Sequence, residues 1–221
     1  MPVLRFPRAR AHGHPFNTFA QRGDSGTLPR VRLPAPTRLL RAIGFDDAPF
    51  ARRRGAPVQI AGVVCAGTRF EGLVWGRLRR DGWNATDVLA TMLEGGKFLP
   101  QIHLVLLDGI AFGGLNVVDL PALAERLERP CVAVMRRAPD LAAMEQAIRK
   151  LPFAERRLEL LRRAGPIHQR RPFVFQVQGL APEEAEDALA RLTDTGYVPE
   201  ALRLAHLIGA AVVNGVSGRR A

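Results

Sequence analysis

The run "IHLVLLD", residues 102–108, constrains this chain more than any other stretch. A continuous apolar segment of that length, bounded by turn residues, is the pattern of a strand buried on both faces. Such a strand requires a sheet with helices packed on either side of it. The run ends on a carboxylate, Asp108, followed by Gly109 and, four residues later, by the pair Gly113 and Gly114. A buried strand that ends this way aims its carboxylate at a metal ion, at a phosphate or at the next helix. No GxGxxG or GxxxxGK[ST] spacing surrounds these glycines, which argues against a phosphate loop and a nucleotide-binding phosphotransferase.

The flanking pattern sets the architecture. "LRAIGFD" reads as a first strand ending near Asp46, and "VQIAGVVCAG" as a second, rich in β-branched residues. A turn at Gly67 and Thr68 leads back into "FEGLVWGRL", so the links predict an antiparallel meander. "NATDVLATMLEGG" follows as a helix, capped by Asn84 or Thr86 and stopped by Gly95 and Gly96. After "IHLVLLD" come a helix in "VVDLPALAERLE", with Asp119 ahead of Pro121, and a buried strand in "PCVAVMR". "PDLAAMEQAIRK" and "FAERRLELLRRAG" are amphipathic helices, "RPFVFQV" is a late strand, and two helices opening with Pro-Glu close the chain. The expected class is α/β: a mixed sheet in which a three-strand antiparallel meander precedes parallel βα units, with helices on both faces. A ribonuclease H-like arrangement is one such solution, whereas a doubly wound fold more often places a helix directly after its first strand.

Residues 1–37 differ in kind. They are rich in Pro, Gly and Arg, carry a single acid, Asp24, and show no sustained periodicity. They are expected to form a disordered or loosely attached basic extension to a domain spanning 38–221. "HGH" at 12–14 is too sparse a pattern for a metal site. Cys65 and Cys131 both sit in apolar runs without metal or redox spacing, and read as small buried hydrophobes suited to a reducing compartment. No apolar run approaches the roughly 20 residues that cross a membrane, and the start lacks a secretory apolar core, so a cytoplasmic location is expected. The net charge of +11 is carried mostly by Arg. Arg-favouring codon usage accounts for Arg over Lys but not for the surplus over Asp and Glu; the surplus suits a polyanionic partner.

The acids supply the chemistry. If the first and fourth strands are neighbours, Asp46 and Asp108 are too. Two unpaired carboxylates that close repel, so one holds a proton or a cation lies between them. Phosphoryl-transfer enzymes use such pairs to hold Mg²⁺. Asp47 adjoins Asp46, but neighbouring strand residues point to opposite faces. Asp46 follows "IGF" and is the better candidate, while Asp47 suits a turn with Pro49. Asp87, in the first turn of the first helix, is a third candidate, with a simple helix-dipole role as its alternative.

Taken together and in order, "IGFDDAPF", "DGWNATD", "LLDGIAFGGLNVVD", "PCVAVMRRAPD" and "GYVPEALRLAH" resemble the endonuclease dU family, a relative of endonuclease V, over about residues 38–215. The resemblance implies a ribonuclease H-like fold and a Mg²⁺-dependent endonuclease, with Mn²⁺ as a possible substitute. It implies cutting of DNA near a deaminated base, deoxyuridine or deoxyinosine, in DNA repair. By position it implies Asp46, Asp87 and Asp108 as catalytic metal ligands. It also places Arg136 where endonuclease V has a Lys, and matches the closing motif through Pro199, Glu200, Arg203 and Ala205. Two departures stand out. Leu180 occupies the position of the endonuclease V Ser-Pro-Gly-His histidine, and that family's tyrosine wedge falls near Leu78, with Trp83 the large aromatic close by.

Several further residues carry expectations. Arg136 and Arg137 follow the fifth strand, where loops line a crevice, and are expected to hold nucleic-acid phosphate. Trp83 is either a base-stacking residue or part of the core. Gly109 gives a tight turn that lets substrate backbone approach Asp108. Glu200 and Arg203, one helical turn apart, are expected to pair and support the site, with His206 on the same face. His103 reads as structural, and the basic "HQRRP" at 168–172 as a backbone-contacting loop. The competing reading is a catalytically weak or inactive nucleic-acid-binding module of the same fold, prompted by Leu180 and the basic balance.

Overall fold

The structure is a computed structural model that describes residues 32–218. Most of the predicted extension, including "HGH" at 12–14, lies outside the described residues. The part of it that is described is attached. Leu33 packs against the core, and the Arg191 guanidinium donates to the carbonyls of Pro34, Ala35 and Arg38 at 3.1, 3.3 and 2.9 Å.

Three strands, β1 (Arg41–Asp47), β2 (Pro57–Ala66) and β3 (Arg69–Arg79), form the expected antiparallel meander. Helix α1 (Ala85–Thr91) leads to β4 (Leu104–Asp108), which returns parallel to β1. A small hairpin, β5 (Ala111–Phe112) and β6 (Asn116–Val117), precedes α2 (Leu120–Leu127) and β7 (Cys131–Met135), which is parallel to β4. Helices α3 (Leu141–Arg149) and α4 (Ala154–Arg163) follow, then β8 (His168–Arg170), β9 (Phe173–Gln178), α5 (Pro182–Arg191) and α6 (Glu200–Asn214). The seven-stranded sheet has the order β3-β2-β1-β4-β7-β9-β8, so β1 and β4 are neighbours near its middle.

Alternation along the strands builds two cores. Ile43 and Phe45 of β1 and Val105 and Leu107 of β4 face α1 and α2, where they meet Leu89, Leu93, Leu120 and Leu123. Ala42, Leu104 and Leu106 face the other way, toward Ala185, Ala188 and Leu189 of α5 and Leu202 of α6. Each of the larger side chains among them contributes about 1.5–3 kcal/mol by leaving water, and every apolar residue of β4 is buried. Helices therefore cover both faces, as the continuous apolar run required.

Gly44 fixes the position of α6. A Cβ there would stand 2.6 Å from the backbone of Ala201 and Leu202. Only glycine lets the helix lie this close on β1, and α6 then runs along β1 until Gly209 meets Ala48.

The structure corrects several sequence expectations. The last long strand, β9, runs antiparallel to β7, because the chain leaves α4 into the short β8, which runs in the direction of β7, and then turns back through a hairpin into β9. The β5–β6 hairpin was hidden in the loop after Asp108, since two-residue strands carry no periodicity. Helix α1 stops at Thr91, four residues before Gly95. Asp47 takes no part in a Pro49 turn: its Oδ2 accepts the Gly113 N–H at 2.5 Å and so ties β1 to that hairpin.

Candidate metal centre

Asp46 is the penultimate residue of β1 and points to the same face as Ala42 and Gly44, toward α6. Asp108, the last residue of β4, shares that face with Leu106. The Phe45–Leu107 register places the two strand ends side by side. From above, α6 presents Ala201, Leu202 and Ala205 to the sheet and, one residue on, His206. Its Nδ1 lies 2.8 Å from Asp46 Oδ2. One donor atom each from Asp46, Asp108 and His206 falls within a 4.8 Å span. Among the described residues this is the one such group of His, Cys, Asp and Glu.

The electrostatics are those of a site short of positive charge. Asp46 is 5% exposed. Burial first, then the neighbouring charges of Asp108 and Asp47, push its carboxyl up to about 8, against the opposing pull of the Asp47 N–H and Arg136. Burial, with Asp108 adding to it, likewise raises Asp47 to about 6, although the Gly113 N–H opposes the shift. Arg136, exposed beyond the end of β7, reaches Asp108 Oδ2 from 3.4 Å. At that distance, and 44% exposed, it is weakly engaged. Gly109 follows Asp108 at φ 86°, its N–H donating to the Val134 carbonyl at 2.8 Å, and a Cβ placed there would meet nothing within 4 Å. The approach to Asp108 is open.

The expected residues are therefore partly regrouped. Asp46 and Asp108 come together. Asp87 does not join them: it points outward from α1, 75% exposed, and pairs with Arg126 at 2.9 Å. The reason is helical phase. Ala85 and Leu89 face the core, and a residue two positions from Ala85 is turned about 200° away. His206 takes the third place instead. The sequence signal for it was a lone imidazole in the otherwise apolar "LAHLIGAA". Leu180 packs against the apolar cluster beneath α5, so the imidazole of this group comes from α6 rather than from the segment before α5. Glu200 and Arg203 pair by two contacts of 2.6 and 2.8 Å on α6. Arg137 is exposed next to Arg136. Trp83 is 37% exposed and lies under Arg156 and Arg157. Both cysteines are buried. Among the described residues no helix is long and apolar enough to cross a membrane.

Comparison with known proteins bears on the family and the fold. Residues 38–213 match the family described as endonuclease dU. A Deinococcus radiodurans protein of the uncharacterised family UPF0215 is 44% identical over 181 residues, covering 81% of this chain and 92% of its own. One from Methanothermobacter thermautotrophicus is 35% identical, covering 80% and 90%. A solved Archaeoglobus fulgidus protein of unknown function has a TM-score of 0.74 at 35% identity, covering 78% of this chain and 98% of that one. Ciona intestinalis endonuclease V, solved with a 24mer DNA containing an inosine followed by a ribo-adenosine, has a TM-score of 0.52 at 13% identity, covering 82% and 89%. That likeness shows a shared ribonuclease H-like fold. On the sequence match and the fold together, this chain belongs to the endonuclease dU family.

Proposed function

We propose that this chain is a divalent-metal-dependent endodeoxyribonuclease that hydrolyses a phosphodiester near a deaminated base, deoxyuridine or deoxyinosine, in DNA repair. The observation that carries the reading is the convergence of Asp46, Asp108 and His206 within 4.8 Å around a buried carboxyl.

The donor set fits a hard divalent cation. Two carboxylates and an imidazole nitrogen supply oxygen and nitrogen ligands, and the raised Asp46 carboxyl marks a place where added positive charge is favoured. Asp46, Asp108 and His206 are the residues that would hold Mg²⁺ or Mn²⁺. When bound, such an ion supplies Lewis acidity toward the phosphate and lowers the pKa of a coordinated water. The chain's own groups do the rest. The Asp47 N–H on Asp46 Oδ1, at 2.7 Å, leaves Oδ2 turned to the site. Arg136 moves from Asp108 to a phosphate oxygen, with Arg137 beside it for an adjacent phosphate. The bare backbone at Gly109 lets the scissile strand come close. An Arg at 136 stays charged throughout, so it binds phosphate and does not shuttle a proton.

The test is cleavage of an end-labelled oligonucleotide carrying a single deoxyuridine or deoxyinosine with Mg²⁺ or Mn²⁺. The wild type cuts at least one of them, and Asp108→Asn cuts neither. If wild-type protein leaves both intact while binding them, the alternative of a non-cutting nucleic-acid-binding module replaces this reading.

A further inference from the structure

Away from the acids, an aromatic pair is mounted on a buried arginine. Trp83, in the loop after β3, and Phe153, in the link between α3 and α4, have ring centroids 6.2 Å apart. Phe153 is 74% exposed, and its φ of 57° holds a bulky side chain in the left-handed region. Such a residue, held outward in an unfavourable conformation, is uncommon and points to function. Arg157 lies 4.9 Å from the Trp83 ring and is only 2% exposed. Its guanidinium donates to the carbonyls of Pro152, Leu115 and Asp81. Arg156 covers Trp83 from 5.2 Å.

The mount is continuous with the acidic group. Asp81, which Arg157 holds through its carbonyl, receives Gly113 as an acceptor for its own N–H at 2.9 Å. Gly113 in turn donates to Asp47, the neighbour of Asp46. The aromatic pair is thus fixed relative to the proposed cutting site.

We infer that Phe153, backed by Trp83, forms a stacking platform for an unpaired nucleobase, with Arg156 engaging a flanking phosphate. The exposed ring of Phe153, bordered by the arginines on Trp83, complements a base and its backbone, whereas a stacked duplex offers no free base face. The inference rests on the nuclease reading and adds to it that the substrate is single-stranded or locally opened at the platform.

The test compares two labelled strands of equal length and charge, one with bases and one with an abasic backbone, by fluorescence anisotropy with the full chain carrying Asp108→Asn. Phe153 is exposed, so replacing it leaves the core intact. The platform predicts tighter binding of the base-containing strand, by about fivefold or more. Phe153→Leu and Phe153→Ala abolish that preference, and Phe153→Tyr keeps it. A merely packing role for Phe153 would be satisfied by Leu. Equal binding of the two strands, or a preference unchanged in Phe153→Leu and Phe153→Ala, overturns the platform and leaves the nuclease reading standing. Failure of every version to bind either strand overturns both.

Discussion

Nδ1 of His206 stands 2.8 Å from Oδ2 of Asp46 across 160 positions of sequence. Gly44 makes the contact possible, because the helix that carries His206 lies on β1 where a Cβ would stand 2.6 Å from its backbone. A glycine two residues before an acid thus determines which imidazole that acid meets.

Gly44→Ala therefore has a double effect. The added methyl lifts α6 by some tenths of an ångström and costs about 1–3 kcal/mol. His206 moves away from Asp46 with the helix. Circular dichroism should show a folded protein with a Tm lowered by several degrees, and calorimetry should show weakened Mn²⁺ binding. Unchanged Mn²⁺ affinity would mean that the helix position does not set the site.

The raised Asp46 carboxyl makes metal-free stability depend on pH. Its folded value of about 8 lies above the ordinary 3.8, so the native state binds more protons between those limits. Stability from this group is fully present below pH 4 and is lost as pH rises toward 8. Asp47, raised to about 6, adds a loss in the same direction between pH 4 and 6. In chelator, the Tm should fall between pH 5 and 8.5. Asp46→Asn should flatten that fall and, at pH 8, be more stable than wild type by about 1–2 kcal/mol. A wild-type Tm that climbs over this range would contradict the burial argument.

Cation binding must then release a proton. Below pH 8 a divalent ion displaces the Asp46 proton, so affinity should rise by close to tenfold per pH unit from 6.5 to 7.5 and level off above 8. Isothermal calorimetry in buffers of different ionisation enthalpy measures the released proton directly. A pH-independent affinity would show that Asp46 is already ionised without the metal.

The large-scale pattern was legible because it follows from buried periodicity. The apolar run of β4 announced a two-faced sheet, and the short links around Gly67 announced the meander. Asp46 and Asp108 were legible because each interrupts an apolar strand at its end. Asp87 was expected beside them on family spacing alone, and helical phase turns it to solvent. His206 was seen as a supporting residue only, because its role depends on the crossing of α6 over Gly44, a relationship between distant segments that periodicity does not carry. The antiparallel entry of β9 was hidden because it depends on β8, a three-residue strand too short to show periodicity, whose hairpin reverses the chain into β9. Phe153 carried no sequence signal, because a lone aromatic at a helix start is common and its exposure is a tertiary fact.

Arg136 is expected to act on substrate rather than on stability. Its contact with Asp108 is long and exposed, so Arg136→Ala should leave the unfolding free energy within about 0.5 kcal/mol of wild type. Nucleic-acid affinity should fall across all sequences, and the slope of log affinity against log salt should drop by about one. Arg136→Lys should restore the slope and only part of the affinity. An unchanged salt slope in Arg136→Ala would remove Arg136 from the phosphate path.

The most direct measurement of the central claim is a Mn²⁺ titration followed by electron paramagnetic resonance, on wild type and on Asp46→Asn, Asp108→Asn, His206→Ala and Asp87→Ala. The account predicts saturable binding in wild type and in Asp87→Ala. It predicts loss in both Asn variants and weakening of about tenfold or more in His206→Ala. Undiminished binding in Asp46→Asn and Asp108→Asn, or loss in Asp87→Ala alone, would contradict it.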